Sequence, residues 1–67
     1  MRANRNFLQL AMARKCMTLR TLAETAQMPE STVKNVLYGR NVKANTLGRV
    51  CKALDVDPAE VIESKED

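Results

Sequence analysis

Between Thr18 and Gly39 the sequence carries two short helical patterns with almost no linker between them. The first runs from Thr18, a helix-capping residue type, through Ala26, and the second runs from Pro29 to Tyr38, just before the glycine. Two short helices joined by a tight turn cross at roughly 90 to 120° when small and branched apolar side chains mesh at the crossing. Apolar residues at helical spacing supply this mesh, namely Leu22, Ala23, Met28, Val33 and Val36.

Two longer helices are predicted on either side of this pair. One spans residues 4–15 with Asn4 as its cap, and the other follows a polar loop at residues 40–45 and takes Asn45 as its cap. Apolar side chains recur on one face of each helix: Phe7, Leu8, Ala11 and Met12 in the first, and Leu47, Val50, Cys51 and Leu54 in the second.

A fifth and shorter helix is predicted near the end of the chain. Asp57 is its expected cap, Pro58 its first helical residue, and Glu60 the residue that completes a capping box. We therefore expect one compact all-α domain of five helices over residues 1–63, followed by a flexible acidic tail at residues 64–67.

The composition agrees with helices packed on helices. Phe7 and Tyr38 are the only aromatic residues, and Leu, Ala, Val and Met supply most of the apolar content. A chain of 67 residues buries only about 60% of its unfolded surface, which leaves room for one small core and little for a catalytic cleft. The sequence has no His, and no motif places a base beside either Cys, so we do not expect an enzyme.

Charge is distributed unevenly along the chain. Residues 1–54 hold ten Lys and Arg against Glu24 and Glu30, a net charge of +8, whereas residues 55–67 hold Lys65 against six acidic residues, a net charge of −5. A basic surface attracts phosphate groups of any sequence, so nucleic acid is the first partner to consider. An anionic membrane surface and ordinary solubilising charge are the alternatives.

The two cysteines do not indicate a metal site. Cys16 and Cys51 form no Cys-x-x-Cys pair and no His accompanies them, so we expect no metal and no cofactor. We interpret both as free thiols in a reducing cytosol, with Cys51 on the apolar stripe of the fourth helix; a disulfide between them is the alternative. No apolar run approaches the roughly 20 residues of a membrane span. We expect a soluble, cytoplasmic protein.

The third helix carries the most informative polar face. Its apolar positions turn Glu30, Ser31, Lys34 and Asn35 outward. These short and medium side chains carry hydrogen-bonding groups that can reach the edges of DNA bases in the major groove. The alternative is an idle solvated surface.

Over most of its length the sequence resembles the helix-turn-helix domains of phage lambda-type repressors and Cro proteins. The resemblance is ungapped from about Leu8 to Ile62, and its strength lies in the joint spacing of many ordinary residues. These are Leu8 and Ala11, then Thr18-x-x-x-Leu22-Ala23, then Ser31-Thr32-Val33 and Gly39, then Thr46-Leu47-x-x-Val50-Cys51-x-Ala53-Leu54-x-Val56, and finally Val61-Ile62.

The resemblance implies a five-helix domain that binds B-DNA with its third helix in the major groove. It places Glu30, Ser31, Lys34 and Asn35 against the bases. It also implies phosphate contacts at the start of the second helix and along the loop and first turn of the fourth, from Thr18, Arg20, Arg40, Asn41, Lys43, Asn45 and Thr46.

The sequence departs from the family at four places. Leu19 replaces a frequent Gln, so we expect one phosphate or base contact of the family to be lost. Gln27 stands where the turn usually has Gly and must accept a left-handed backbone or shift the turn. Pro29 replaces a capping Ser. Met12 and Leu37 replace an ion pair between the first and third helices, and we expect an apolar contact in its place.

We expect a transcriptional regulator of the Cro or repressor type, encoded by a bacterium or phage, that binds double-stranded operator DNA. A weak homodimer is expected, at least on DNA, because a small domain makes few contacts and because Val56, Val61 and Ile62 exceed the packing needs of a short last helix. The alternatives are an antitoxin or restriction-control regulator of the same fold, and a protein-interaction helical bundle without DNA binding.

Overall fold

A computed structural model of the protein describes residues 1–62, which contain five α-helices and no strand. The helices are α1 (Arg5–Lys15), α2 (Leu19–Ala26), α3 (Glu30–Leu37), α4 (Ala44–Leu54) and α5 (Pro58–Val61). The predicted all-α architecture is confirmed. The predicted domain end at residue 63 and the acidic tail at residues 64–67 lie outside the described residues.

Three helices begin at the side-chain caps that the sequence predicts. The Asn4 Oδ1 atom accepts from the Phe7 N–H at 3.1 Å, and the Asp57 Oδ1 atom accepts from the N–H two residues further on at 3.0 Å. At α2 the bonding is reciprocal: the Thr18 hydroxyl accepts from the Thr21 N–H at 3.2 Å, and the Thr21 hydroxyl accepts from the Thr18 N–H at 2.8 Å. A cap of this kind contributes about 0.5 to 2 kcal/mol to stability.

The predicted start of α4 is wrong by two residues. Lys43 occupies the cap position and its carbonyl accepts from the Leu47 N–H at 3.1 Å, so the helix begins at Ala44 and Asn45 lies inside its first turn. No side-chain oxygen caps this helix. The start was misplaced because Asn45 is the stronger capping residue type, while the backbone already turns helical before it.

Two further details of the predicted helix starts need correction. Pro29 lies at the cap of α3, with ψ of 147°, and the first helical residue is Glu30. The fixed φ of proline suits the cap as well as the first turn. At α5 the capping box is absent, because Asp57 caps the helix alone and Glu60 stays exposed without returning a side-chain bond.

The first four helices end in the same way. A residue in the left-handed region follows each helix, and the N–H of the next residue donates to the carbonyl five positions earlier, the arrangement known as a Schellman motif. The left-handed residues are Cys16, Gln27, Gly39 and Asp55. The returning bonds are Met17 to Met12 at 3.0 Å, Met28 to Ala23 at 3.0 Å, Arg40 to Asn35 at 3.1 Å, and Val56 to Cys51 at 3.0 Å.

Of the two alternatives for the turn between α2 and α3, Gln27 takes the left-handed backbone, with φ of 58°. Its N–H donates to the Glu24 carbonyl at 3.2 Å. Helix α2 packs against both α3 and α4, and α1 packs against α3 and α4.

The core contains the apolar stripes that the sequence predicts. The buried residues at the crossing and around it include Leu8, Ala11, Leu22, Ala23, Val33, Val36, Leu47, Val50, Cys51 and Leu54. Met12, Met28 and Leu37 pack against this core while partly exposed. The direct contact between Met12 and Leu37 stays a prediction.

The segment before α1 closes the fold, which the helical patterns did not predict. Ala3 is buried and forms an isolated antiparallel bridge with Ile62. The Asn4 N–H donates to the Val61 carbonyl at 2.7 Å. Val61 is 0% exposed, so its apolar side chain is already used within one protomer. The expectation that Val61 offers spare surface for a dimer is wrong.

The cysteines and the helix lengths complete the picture. Cys51 is buried in the core as predicted, Cys16 is exposed, and both are free thiols. Burial, and secondarily the carboxylate of Asp57, raise the pKa of the Cys51 thiol above its ordinary value. Among residues 1–62, no helix has both the length and the apolar content to cross a membrane.

Candidate nucleic-acid interface

The outer face of α3 is formed by the residues that the sequence pattern predicts there. Glu30, Ser31 and Lys34 are exposed, whereas Val33 and Val36 on the opposite face are 0% exposed and hold the helix against the core. The predicted face spans residues 30–35, about 7.5 Å at 1.5 Å per residue, which matches the rise of two to three base pairs. Because Val33 and Val36 hold α3 against the core, the orientation of its polar side chains is fixed.

Asn35 differs from the other three candidates on this face because it is half-buried and already bonded. Its Oδ1 atom accepts from the Arg40 Nη1 atom at 2.9 Å. The Arg40 guanidinium lies over the ring of Tyr38, 5.6 Å from its centroid. A predicted base-reading residue and a predicted phosphate contact therefore belong to one cluster. The sequence signal that could have revealed it is Asn35 lying five positions before the residue that follows Gly39.

The two candidate phosphate contacts at the start of α2 differ in how firmly their side chains are already bonded within the protein. The hydroxyl and the N–H of Thr18 are both used in the capping box. Arg20 forms an ion pair with Glu24, Nε to Oε2 at 3.6 Å, with both side chains mostly exposed at 79% and 67%. An exposed pair of this kind contributes only about 0.3 to 0.5 kcal/mol, so Arg20 can exchange its partner for a phosphate at small cost.

The loop after α3 and the first turn of α4 present the remaining candidates. Arg40, Asn41, Lys43 and Asn45 are exposed, and Thr46 is half-buried. The Asn41 Oδ1 atom accepts from the Met1 nitrogen at 2.6 Å, and the Val42 N–H donates to the Met1 carbonyl at 2.7 Å. The N-terminal segment thus holds the loop in place, an arrangement that local sequence patterns do not show.

The N-termini of α3 and α4 share a property that α1, α2 and α5 lack: no side chain caps them. Their caps are Pro29, which has no hydroxyl, and Lys43, whose side chain is a donor only. The first N–H groups of these helices are left without a side-chain acceptor, and a helix N-terminus in this condition favours an anion such as a phosphate.

The segment that contains these helix ends is basic as a whole, although Glu30 is the first residue of α3. Glu24 and Glu30 are the two acidic residues among residues 1–54, against ten Lys and Arg. Within residues 1–62 no three His, Cys, Asp or Glu side chains gather as a group able to hold a metal ion. The polar and cationic side chains of this surface can form hydrogen bonds and attract anions.

A comparison of the sequence with models of protein families identifies the family of this chain. The family model of the Cro/C1-type HTH DNA-binding domain matches residues 8–67. The chain belongs to that family. The resemblance that rests on the joint spacing of its residues is confirmed. The partner that this DNA-binding domain implies is double-stranded DNA. No match was found among curated proteins or among solved structures.

Proposed function

We propose that this Cro/C1-type domain is a sequence-specific transcriptional regulator of the repressor type that reads operator DNA with α3 in the major groove. The observation that carries the proposal is the exposed polar face of α3, held by a buried apolar face, together with the N-termini of α3 and α4, which have no side-chain caps. Blocking a promoter by occupying it requires no catalytic group, and the proposed target lies in the cytoplasm of a bacterium or of a phage-infected cell.

In this proposal Glu30, Ser31, Lys34 and Asn35 read bases. Glu30 can accept from the amino group of cytosine, Lys34 can donate to guanine, and Ser31 can bond to either kind of group. Glu30 also repels phosphate, so it contributes to specificity and not to general affinity.

The proposed phosphate contacts form two groups, one before and one after α3 along the chain. Thr18 and Arg20 lie at the start of α2. The Thr18 hydroxyl is engaged in the helix cap, whereas the exposed Arg20 can exchange Glu24 for a phosphate. The second group follows α3 and combines side chains with the free N–H groups of α4. It comprises Arg40, Asn41, Lys43, Asn45 and Thr46.

We also propose that two copies bind together on DNA, on half-sites about 34 Å apart, because one domain of this size makes few contacts. Val56 and Ile62 remain partly exposed beside α4 and α5 and provide the apolar surface for a weak contact. Sedimentation should show two copies on a duplex with two half-sites. A single copy at saturating protein would contradict the pairing.

The central test separates general affinity from specificity. Lys43→Ala should weaken binding to every duplex and reduce the salt dependence by about one unit in the slope of log K against log salt, because one phosphate contact is lost. Lys52→Ala is the matched control: it removes the same charge from the exposed last turn of α4. We expect its affinity to change much less. Fluorescence anisotropy at several salt concentrations measures both.

Asn35→Ala should cost about 1 to 3 kcal/mol on the preferred duplex and little on random DNA. Asn6→Ala, an exposed substitution of the same type on α1, is its control. Equal losses on both duplexes would remove Asn35 from base reading. Failure of the folded wild-type protein to bind any duplex at low salt would favour the protein-interaction bundle over a DNA-binding regulator.

A further inference from the structure

The residue that completes the Schellman motif after α3 differs in type from those after α1, α2 and α4. After the left-handed residue of α1, α2 and α4, the chain continues with Met17, Met28 and Val56, each packed against the core. An apolar residue at this position is the usual companion of a Schellman motif. After α3 the same position holds Arg40, which is exposed. This exception occurs at the proposed DNA-reading helix.

The backbone of the motif brings Arg40 onto Asn35. The Arg40 N–H donates to the Asn35 carbonyl at 3.1 Å, and its Nη1 atom donates to the Asn35 Oδ1 atom at 2.9 Å. The Tyr38 ring supports the guanidinium from one side, with 5.6 Å between the Arg40 Cζ atom and the ring centroid. Two hydrogen bonds and one aromatic face thus hold Arg40 at the end of α3.

This contact fixes the orientation of the Asn35 amide and occupies one of the two lone pairs of its oxygen. An amide side chain has an oxygen that accepts and an NH₂ that donates, whereas a guanidinium only donates. The Oδ1 atom must therefore face Arg40, because the reversed amide would place two donors against each other. Both hydrogens of its NH₂ group then stay available to a ligand, while a second donor approaching the Oδ1 atom would meet the positive charge of the guanidinium.

We propose that Arg40 is a specificity-determining residue: it holds the Asn35 Oδ1 atom and thereby presents hydrogen-bond donors, the Asn35 NH₂ group and its own remaining N–H groups, to the base. Reading adenine requires an acceptor and a donor together, because its major-groove edge presents the N6 amino group beside N7. Guanine presents two acceptors, O6 and N7, which suit the Asn35 NH₂ group and the free N–H groups of Arg40. The base facing Asn35 is then guanine and not adenine. This inference rests on the proposed function.

The test compares duplexes that differ at one base pair. Starting from a preferred duplex, each base pair is replaced in turn by the other three. The base pair whose replacement weakens binding of the wild-type protein but not of the Asn35→Ala protein is the one that Asn35 contacts. At that position the wild-type protein should prefer guanine over adenine by about 10-fold or more. Arg40→Ala frees the Oδ1 atom, so the ratio should move towards adenine by about 10-fold while the ratios at other positions stay constant.

Lys43→Ala is the control for lost charge, because it removes a neighbouring cation without touching Asn35. It should lower affinity for all duplexes and leave every ratio unchanged. Arg40 is exposed, so its replacement should leave the folded state intact, which circular dichroism checks. In the free protein, NMR should show the Asn35 NH₂ resonances shifting in Arg40→Ala and not in Lys43→Ala.

Several results would overturn the inference. One is an Arg40→Ala protein that loses affinity equally on all duplexes, as Lys43→Ala does. A wild-type preference for adenine or thymine at the Asn35 position would also overturn it, as would the absence of any position that depends on Asn35. If the folded wild-type protein prefers no duplex at all, the proposed function fails first, and this inference fails with it.

Discussion

Replacing Gln27 by glycine is expected to stabilise the protein, although it removes a side chain. Gln27 is held at φ of 58° in the turn between α2 and α3. A residue with a Cβ atom pays roughly 1 to 2 kcal/mol for this left-handed backbone. Glycine adopts it freely but loses about 0.5 to 1 kcal/mol more chain entropy on folding. The midpoints of these two ranges differ by about 0.75 kcal/mol, so we expect a gain of about 0.5 to 1 kcal/mol.

The contacts of the turn support this value. Gln27 is exposed, and its bond in the turn comes from its backbone N–H, which donates to the Glu24 carbonyl at 3.2 Å and remains in the variant. For a domain of this size, 1 kcal/mol shifts the melting temperature by about 4 to 8 °C, so Gln27→Gly should raise it by about 2 to 8 °C. Thermal and urea unfolding followed by circular dichroism measure the change.

Gln9→Gly is the matched control, because Gln9 is exposed in the middle of α1 with an ordinary helical backbone. The same replacement there should destabilise by about 0.5 to 1 kcal/mol, since glycine is a poor helix former. Opposite signs at the two positions support the reasoning. A destabilised Gln27→Gly protein would refute it and would mean that the glutamine side chain contributes to the turn.

The remaining predictions concern the glycines and the cysteines. Gly48→Ala should stabilise by about 0.5 to 1 kcal/mol in urea unfolding, because Gly48 is helical and an added Cβ meets nothing within 4 Å; a loss would contradict this. Gly39→Ala should destabilise instead, because φ is +75° and the new Cβ would lie 3.1 Å from an Arg5 side-chain carbon. In native protein a thiol reagent should label Cys16 alone, and urea should expose Cys51 as well, because burial raises the pKa of the Cys51 thiol and shields it. Rapid native labelling of both thiols would contradict the packed core.

The parts of the fold that follow from neighbouring residues were predictable. Thr18 and Asp57 cap their helices as expected because a cap depends on a side chain and an N–H two or three residues away. The buried stripes depend on the same short range. The family membership followed from the spacing of these local signals taken together.

The parts that were missed depend on distant contacts or on competing local ones. The bridge from Ala3 to Ile62 joins the two ends of the described chain, and no periodic pattern marks it. The start of α4 at Lys43 depends on backbone bonds, which side-chain types do not reveal. The bond from Arg40 to Asn35 requires the geometry of the Schellman motif at Gly39, so the sequence predicted both residues as separate DNA contacts and gave no sign that they are bonded to each other.

The most direct measurement of the central claim is selection of duplexes from a random library by the wild-type protein. We expect an enriched two-fold motif with half-sites about 10 base pairs apart, bound at physiological salt about 1,000-fold or more tightly than a scrambled duplex. Asn35→Ala should lose discrimination at one base pair of each half-site. Folded protein that enriches no motif, or that binds selected and scrambled duplexes equally, would contradict sequence-specific recognition by α3.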